Sequence, residues 1–168
     1  MSTAADQLKV NTSLFVGFTG EDLKVLAPAA LRRTLCTGEV LCHRGESGSS
    51  MYIISVGSIE VRRPVGETDV ALATLKRGEA CGEVALVSGG VRTADLIAAE
   101  DSAVLEISRK SLDDALAGHP EVAAKLWRNI AVALSQRLES TNSLLAKSIE
   151  LNWKLLNNDD IRRAYSGL

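Results

Sequence analysis

Glycines recur at short intervals through the middle of the chain, at Gly38, Gly45, Gly48, Gly57, Gly66 and Gly78. Between them lie largely apolar runs of strand length: Val40–His43, Met51–Val56, Ser58–Arg62 and Val70–Leu75. Turn glycines spaced about 8 to 12 residues apart around such runs predict antiparallel strands closing into a barrel or sandwich. Further strands are predicted at Thr93–Ala98 and Ala103–Ile107. Two groups of strands flanking a short helix make a β-roll, whose mouth can hold a small ligand.

What separates the two groups is Ala80–Leu96, which reads ACGEVALVSGGVRTADL. Its apolar part is too short for an ordinary core helix and too unevenly patterned for a strand, so Glu83–Ser88 is predicted to form one or two helical turns. The first amides of such a helix have no acceptor within it and point beyond its end. Gly89 and Gly90 let the chain double back and bring Arg92, a permanently charged, fork-shaped donor, beside those amides. An anion site results. Glu83 would repel an anion there unless it accepted hydrogen bonds from a neighbouring hydroxyl, and a ribose phosphate offers both groups. Taken alone, the same pattern also fits a turn with a solvated ion pair.

These residues resemble the phosphate-binding cassette of the cyclic nucleotide-binding domain family, the module of catabolite-activator-like regulators, protein kinase A regulatory subunits and cyclic nucleotide-gated channels. The family pattern runs Gly-Glu-aliphatic-(Ala/Gly)-Leu, a variable turn, then Arg-(Ser/Thr/Ala)-Ala. Here it is met by Gly82, Glu83, Val84, Ala85 and Leu86, then Arg92, Thr93 and Ala94. Other landmarks match at Leu14–Phe18, Gly38–Leu41, Arg44–Glu46, Met51–Ile54 with Gly57, and Gly78–Glu79. The resemblance runs from about Phe15 to Leu126. It implies an α+β fold: an antiparallel β-roll, like a jelly-roll barrel, with N-terminal helices, a short phosphate-cassette helix and a long C-terminal helix. It also implies a ligand, cAMP first and cGMP second. Arg92 and the backbone of Val84–Leu86 would hold the cyclic phosphate, and Glu83 the ribose 2'-hydroxyl. Thr93 bears on base choice, because a hydroxyl here can reach the guanine 2-amino group, contact phosphate or bond locally to backbone. Cys81 departs from the family, standing where an aromatic often precedes the cassette. Asp95 departs too and is expected to face solvent, since beside the phosphate its charge would oppose binding.

Composition narrows the function classes. A chain of 168 residues with 46% hydrophobic and 4% aromatic residues suits one domain with an aliphatic core and a helical arm. A net charge of −2 gives no basic footprint for nucleic acid. No apolar run approaches the roughly 20 residues of a membrane helix, and the opening MSTAADQLKV lacks the regions of a signal peptide. A cytoplasmic location without membrane insertion is expected. Cys36, Cys42 and Cys81 are odd in number and without CxxC spacing, and only His43 and His119 could join them as ligands. Reduced, buried or half-buried thiols are expected, with no metal and no cofactor. No nucleophile–base pattern occurs, so no catalytic residue is assigned and no enzyme activity is expected.

The chain divides by pattern into an N-terminal helical segment (1–34), a β-roll (35–110) containing the cassette (80–96), C-terminal helices (111–157) and a short tail (158–168). Thr19 is read as a helix cap with Glu21 and Asp22 in the first turn, Leu23 and Leu26 as its apolar stripe, and Pro28 as its break. Ser111 is read as the cap of a second helix, and Pro120 as the opening of a third that runs without Gly or Pro to about Leu156. Along it Trp127, Ala131, Leu134, Leu138, Thr141, Leu145, Ser148, Asn152 and Leu155 form a broken heptad seam. Two outcomes fit: the first half packs on the roll and the rest frays, or the later half pairs in a homodimer. The tail, with Arg162 and Arg163, is too short for a helix-turn-helix, so no direct DNA binding is expected. The function expected is a stand-alone cyclic nucleotide receptor that repositions its C-terminal helix toward an effector protein or a second copy. The alternatives are a regulatory subunit of a separately encoded effector, a ligand-free interaction module, and a receptor for a cyclic dinucleotide.

Overall fold

A computed structural model of the chain describes residue 8 and residues 11–157. The chain divides into two units, Met1–Ile130 and Ala131–Leu168. In the first, the described residues form two four-stranded antiparallel sheets. One runs in the order β1 (Ala30–Leu35), β8 (Ser102–Ser108), β3 (Ser50–Val56), β6 (Ala80–Cys81). The other runs β2 (Val40–Cys42), β7 (Asp95–Ala98), β4 (Ser58–Val65), β5 (Thr68–Lys76). With its helices this is the α+β β-roll predicted. Gly38, Gly45, Gly57, Gly66 and Gly78 all take positive φ, so the glycine punctuation marks real turns.

β3 is buried on both faces, which is why Met51–Ile54 reads as an unbroken apolar run. Tyr52 and Ile54 pack with Leu35, Ile59, Leu75, Leu96 and Val104 between the sheets. The alternate residues Met51 and Ile53, opposite Ile107 and Leu105 on β8, point the other way and are equally buried. Helices cover that outer side. α2 (Glu83–Ser88) packs on β3, and α3 (Arg109–Leu116) packs on β8 and on α1 (Gly20–Leu26).

The helix starts follow local chemistry. Thr19 and Asp22 form a reciprocal capping box on α1, and Pro28 lies in the 3-10 turn Ala27–Ala29 that ends it. β1 then begins at Ala30, before the predicted start of the roll at Leu35. Its own burial hardly alternates, so pairing with β8, from Ala30 opposite Ile107 to Leu35 opposite Ser102, makes it a strand. α3 likewise starts earlier than predicted. Ser108 is its cap, and Ser111 donates its amide to Ser108 Oγ at 3.1 Å rather than capping the helix itself.

The last helix, α4, runs Pro120–Leu156. Within the first unit it buries Val122, Leu126, Asn129 and Ile130. Asn129 Nδ2 donates to Leu14 O and Val16 O, each at 2.9 Å, which ties the 3-10 turn Ser13–Phe15 to the helix. In the second unit Leu138, Leu144, Leu145, Ile149 and Leu155 are exposed. Arg162, Arg163 and the rest of the 158–168 tail lie outside the described residues. Among the described residues no helix is long and apolar enough to cross a membrane.

Two stability effects follow. Asn129→Ala leaves two carbonyls without their donor and should lower stability by about 1 to 3 kcal/mol in urea unfolding. Asp22 is held below its ordinary pKa first by its hydrogen bond from Lys125, at 2.7 Å, and then by the Thr19 amide. A depressed carboxyl contributes stability above its unfolded pKa, near 4, and loses it as pH falls through the folded value. Asp22→Asn should therefore flatten the acid limb of the stability–pH curve, measured by urea unfolding from about pH 3 to 7.

Candidate functional site

The turn at Gly82 directs the cassette. β6 ends at Cys81, a buried residue opposite Tyr52 in the sheet register. Gly82 follows with φ 81°, left-handed, as the N-cap of α2. Any Cβ there would be strained by about 1 to 2 kcal/mol, and would sit 2.8 Å from Ser50 O and 2.7 Å from Arg92 Nη1. α2 buries Ala85 and Leu86 and exposes Val84 and Val87, so its apolar face anchors it on β3. Leu86 N donates to Gly82 O at 3.0 Å. Of the amides predicted to meet an anion, only those of Val84 and Ala85 precede the first intrahelical bond, and Leu86 serves packing instead. Glu83 is 3% exposed; its Oε2 takes no hydrogen bond among the described residues, although the residue is otherwise engaged.

Arg92 is placed by backbone first. Its N–H donates to Glu46 O at 2.8 Å and its carbonyl accepts from Gly45 N at 2.9 Å, next to the bridge between Ser47 and Val91. The side chain then turns inward and is 6% exposed. Nη1 donates to Ser50 O at 2.5 Å, Nη2 to Tyr52 Oη at 3.1 Å, and Cζ lies 5.1 Å from the Tyr52 ring centroid. A Cβ at Gly48 would come within 2.6 Å of Arg92 Nε, so Gly48 and Gly82 together leave the space the guanidinium fills. Its partners are neutral: among the described residues it makes no ion pair with a carboxylate.

Thr93 is exposed, Ala94 is buried, and Thr93 lines a cleft of about 660 Å³ with Arg44, Arg63, Arg92 and Asp95. A larger cleft, about 1180 Å³, lies along α1, α3 and the start of α4 and contains no cassette residue. Asp95 does not simply face solvent as predicted. Its Oδ1 accepts from Arg44 N at 2.9 Å and lies 3.4 Å from His43 Nδ1, so the carboxylate ties down the turn after β2. Cys42 and Cys81 are buried and Cys36 is exposed, against the expectation that all three thiols be at least half-buried. Burial pushes the Cys42 thiol up, with Arg92 pulling the other way.

Sequence reasoning found Gly82, Glu83 and Arg92, which the fold joins through the contact of Arg92 with Gly82. It assigned no role to Gly48, Ser50 or Tyr52, which shape and hold the guanidinium. Their spacing from Arg92 carries no local period; Gly48 read only as a turn glycine, and Tyr52 only as part of the matched Met51–Ile54 run.

The fold is thus an antiparallel β-roll that sets a buried arginine against the capping glycine of a short helix. Residues 32–119 match the family model described as the cyclic nucleotide-binding domain, and the chain belongs to that family. It is 32% identical over 138 residues to cyclic nucleotide-gated channel beta-3 of Mus musculus, a match covering 77% of this chain and 20% of that protein. It is 28% identical over 130 residues to the cyclic AMP receptor protein of Thermus thermophilus, covering 77% of this chain and 58% of that protein. The N-terminal domain of a transcriptional regulator from Streptomyces coelicolor A3(2) superposes with a TM-score of 0.68 at 29% identity, covering 80% of this chain and 92% of that one. The match thus spans a fifth of the channel and just over half of the receptor protein.

The two glycines beside Arg92 should respond differently to a methyl group. Gly82→Ala meets both a left-handed backbone and Ser50 O and should lose more than about 1 to 2 kcal/mol in urea unfolding. Gly48→Ala meets the bonded Arg92 guanidinium and no backbone, so its loss should largely vanish in an Arg92→Ala background, whereas that of Gly82→Ala should persist.

Proposed function

We propose that this chain is a cyclic nucleotide receptor, taking cAMP before cGMP, and that it regulates rather than catalyses. The observation that carries this reading is the Arg92 guanidinium, buried among neutral partners and set against the N-cap glycine of the cassette helix. A buried cation without a countercharge is costly unless an anion completes it. A cyclic phosphate brings one negative charge and oxygens suited to a guanidinium fork. In this reading Arg92 and the amides of Val84 and Ala85 take the phosphate, and the Glu83 carboxylate accepts from the ribose 2'-hydroxyl. Thr93 offers its hydroxyl from the cleft side, and Gly82, Leu86 and Ala94 hold the cassette backbone in place.

Signalling then passes through α4. Ligand binding shifts this helix between two placements only as far as the affinities of the two states differ, about 1 to 3 kcal/mol in typical coupling. The exposed leucines of the second unit support a protein partner, first of all a second copy, because Leu138, Leu145 and Leu155 fall on one heptad seam. A cytoplasmic setting, where the three free cysteines stay reduced, belongs to the same reading. Relatives in which the matching segment is a fifth of a channel favour a second reading, control of a separate effector.

Calorimetry of the full chain with cAMP and cGMP tests the reading. Arg92→Ala should weaken binding by about 1.5 to 3 kcal/mol, roughly tenfold or more. An affinity for both nucleotides unchanged by Arg92→Ala refutes it.

A further inference from the structure

The arginine of the site is held from outside the cassette. Both of its side-chain acceptors lie on β3: Ser50 O takes Nη1, and Tyr52 Oη takes Nη2. Tyr52 is 4% exposed, and its backbone pairs with Cys81, the residue immediately before Gly82. One residue is therefore tied to the cassette twice, through its hydroxyl to Arg92 and through its register to the strand that delivers Gly82. A single bond to Ser50 O would leave the guanidinium free to swing about it. The second bond, with the aromatic ring 5.1 Å from Cζ, fixes the plane. Arginine carries more N–H donors than the two used here, and among the described residues the remainder have no acceptor. A long side chain oriented before binding loses less freedom when the ligand arrives.

We propose that Tyr52 is a positioning residue of the nucleotide site, whose phenol holds Arg92 in the orientation that presents its remaining donors to the phosphate. The proposal rests on the cyclic nucleotide reading, whereas the arginine–phenol unit itself does not. Burial raises the Tyr52 pKa and the Arg92 charge opposes that rise; Glu106, Cys42 and Arg33 are the other charged or titratable groups acting on it.

The test uses the full chain and cAMP in calorimetry. Tyr52→Phe keeps the ring, removes the hydroxyl and should weaken binding about tenfold. In an Arg92→Lys background, which keeps the charge and loses the fork, the same substitution should change affinity by less than about threefold. Unchanged or tighter binding by Tyr52→Phe, or an equal loss in both backgrounds, overturns the proposal. A second readout needs no ligand. With Tyr165→Phe leaving Tyr52 as the one tyrosine, Arg92→Gln should move the phenol titration, followed by ultraviolet absorbance, to higher pH. An unmoved titration, where the unaltered chain binds cAMP, overturns the role of Tyr52 alone. Failure of the unaltered chain to bind cAMP or cGMP overturns the receptor reading and this role with it.

Discussion

A guanidinium cannot shed its charge at any ordinary pH, so a fold that buries Arg92 must supply it with acceptors and room. Both come from the segment between β2 and β3. Glu46 and Gly45 pair with the Arg92 backbone, Gly48 makes way for its side chain, and Ser50 and Tyr52 accept from it. Gly82 makes way from the cassette side. The loop after β2, the start of β3 and the turn before α2 therefore close on one another around a single cation.

β3 is the strand on which stability and recognition meet. One of its faces contributes Tyr52 and Ile54 to the cluster between the sheets, and the other contributes Met51 and Ile53 to the side covered by helices. Burial of each such side chain stabilises the fold by about 1.5 to 3 kcal/mol. The same strand carries both acceptors of Arg92, so the cation is attached to one of the most deeply buried parts of the roll rather than to a loop.

α4 changes character along its length. Val122, Leu126 and Ile130 are buried and Asn129 bonds two backbone carbonyls, so this part is secured by packing and by hydrogen bonds. In the second unit the leucines at 138, 144, 145 and 155 are open to solvent, and local pairs such as Lys154 with Glu150, at 2.6 Å, support the helix instead. Those bare apolar side chains leave this part of the helix without the packing that secures its beginning.

The amino-acid sequence by itself determined the turns, the strand runs and the cassette helix, because these depend on conformational freedom and hydrophobic period over a few residues. It also determined the capping box on α1, a contact within a single turn. Where neighbours elsewhere in the chain intervene, local reading failed. β1 is a strand because β8 lies beside it, and Asp95 is engaged because the Arg44 amide reaches it. Only the tertiary structure decided that Gly48 and Tyr52 pack against Arg92. They lie some forty residues from Arg92, and a buried cation takes its acceptors from whatever backbone and side chains the packed sheets bring to it, a matter no sequence period encodes.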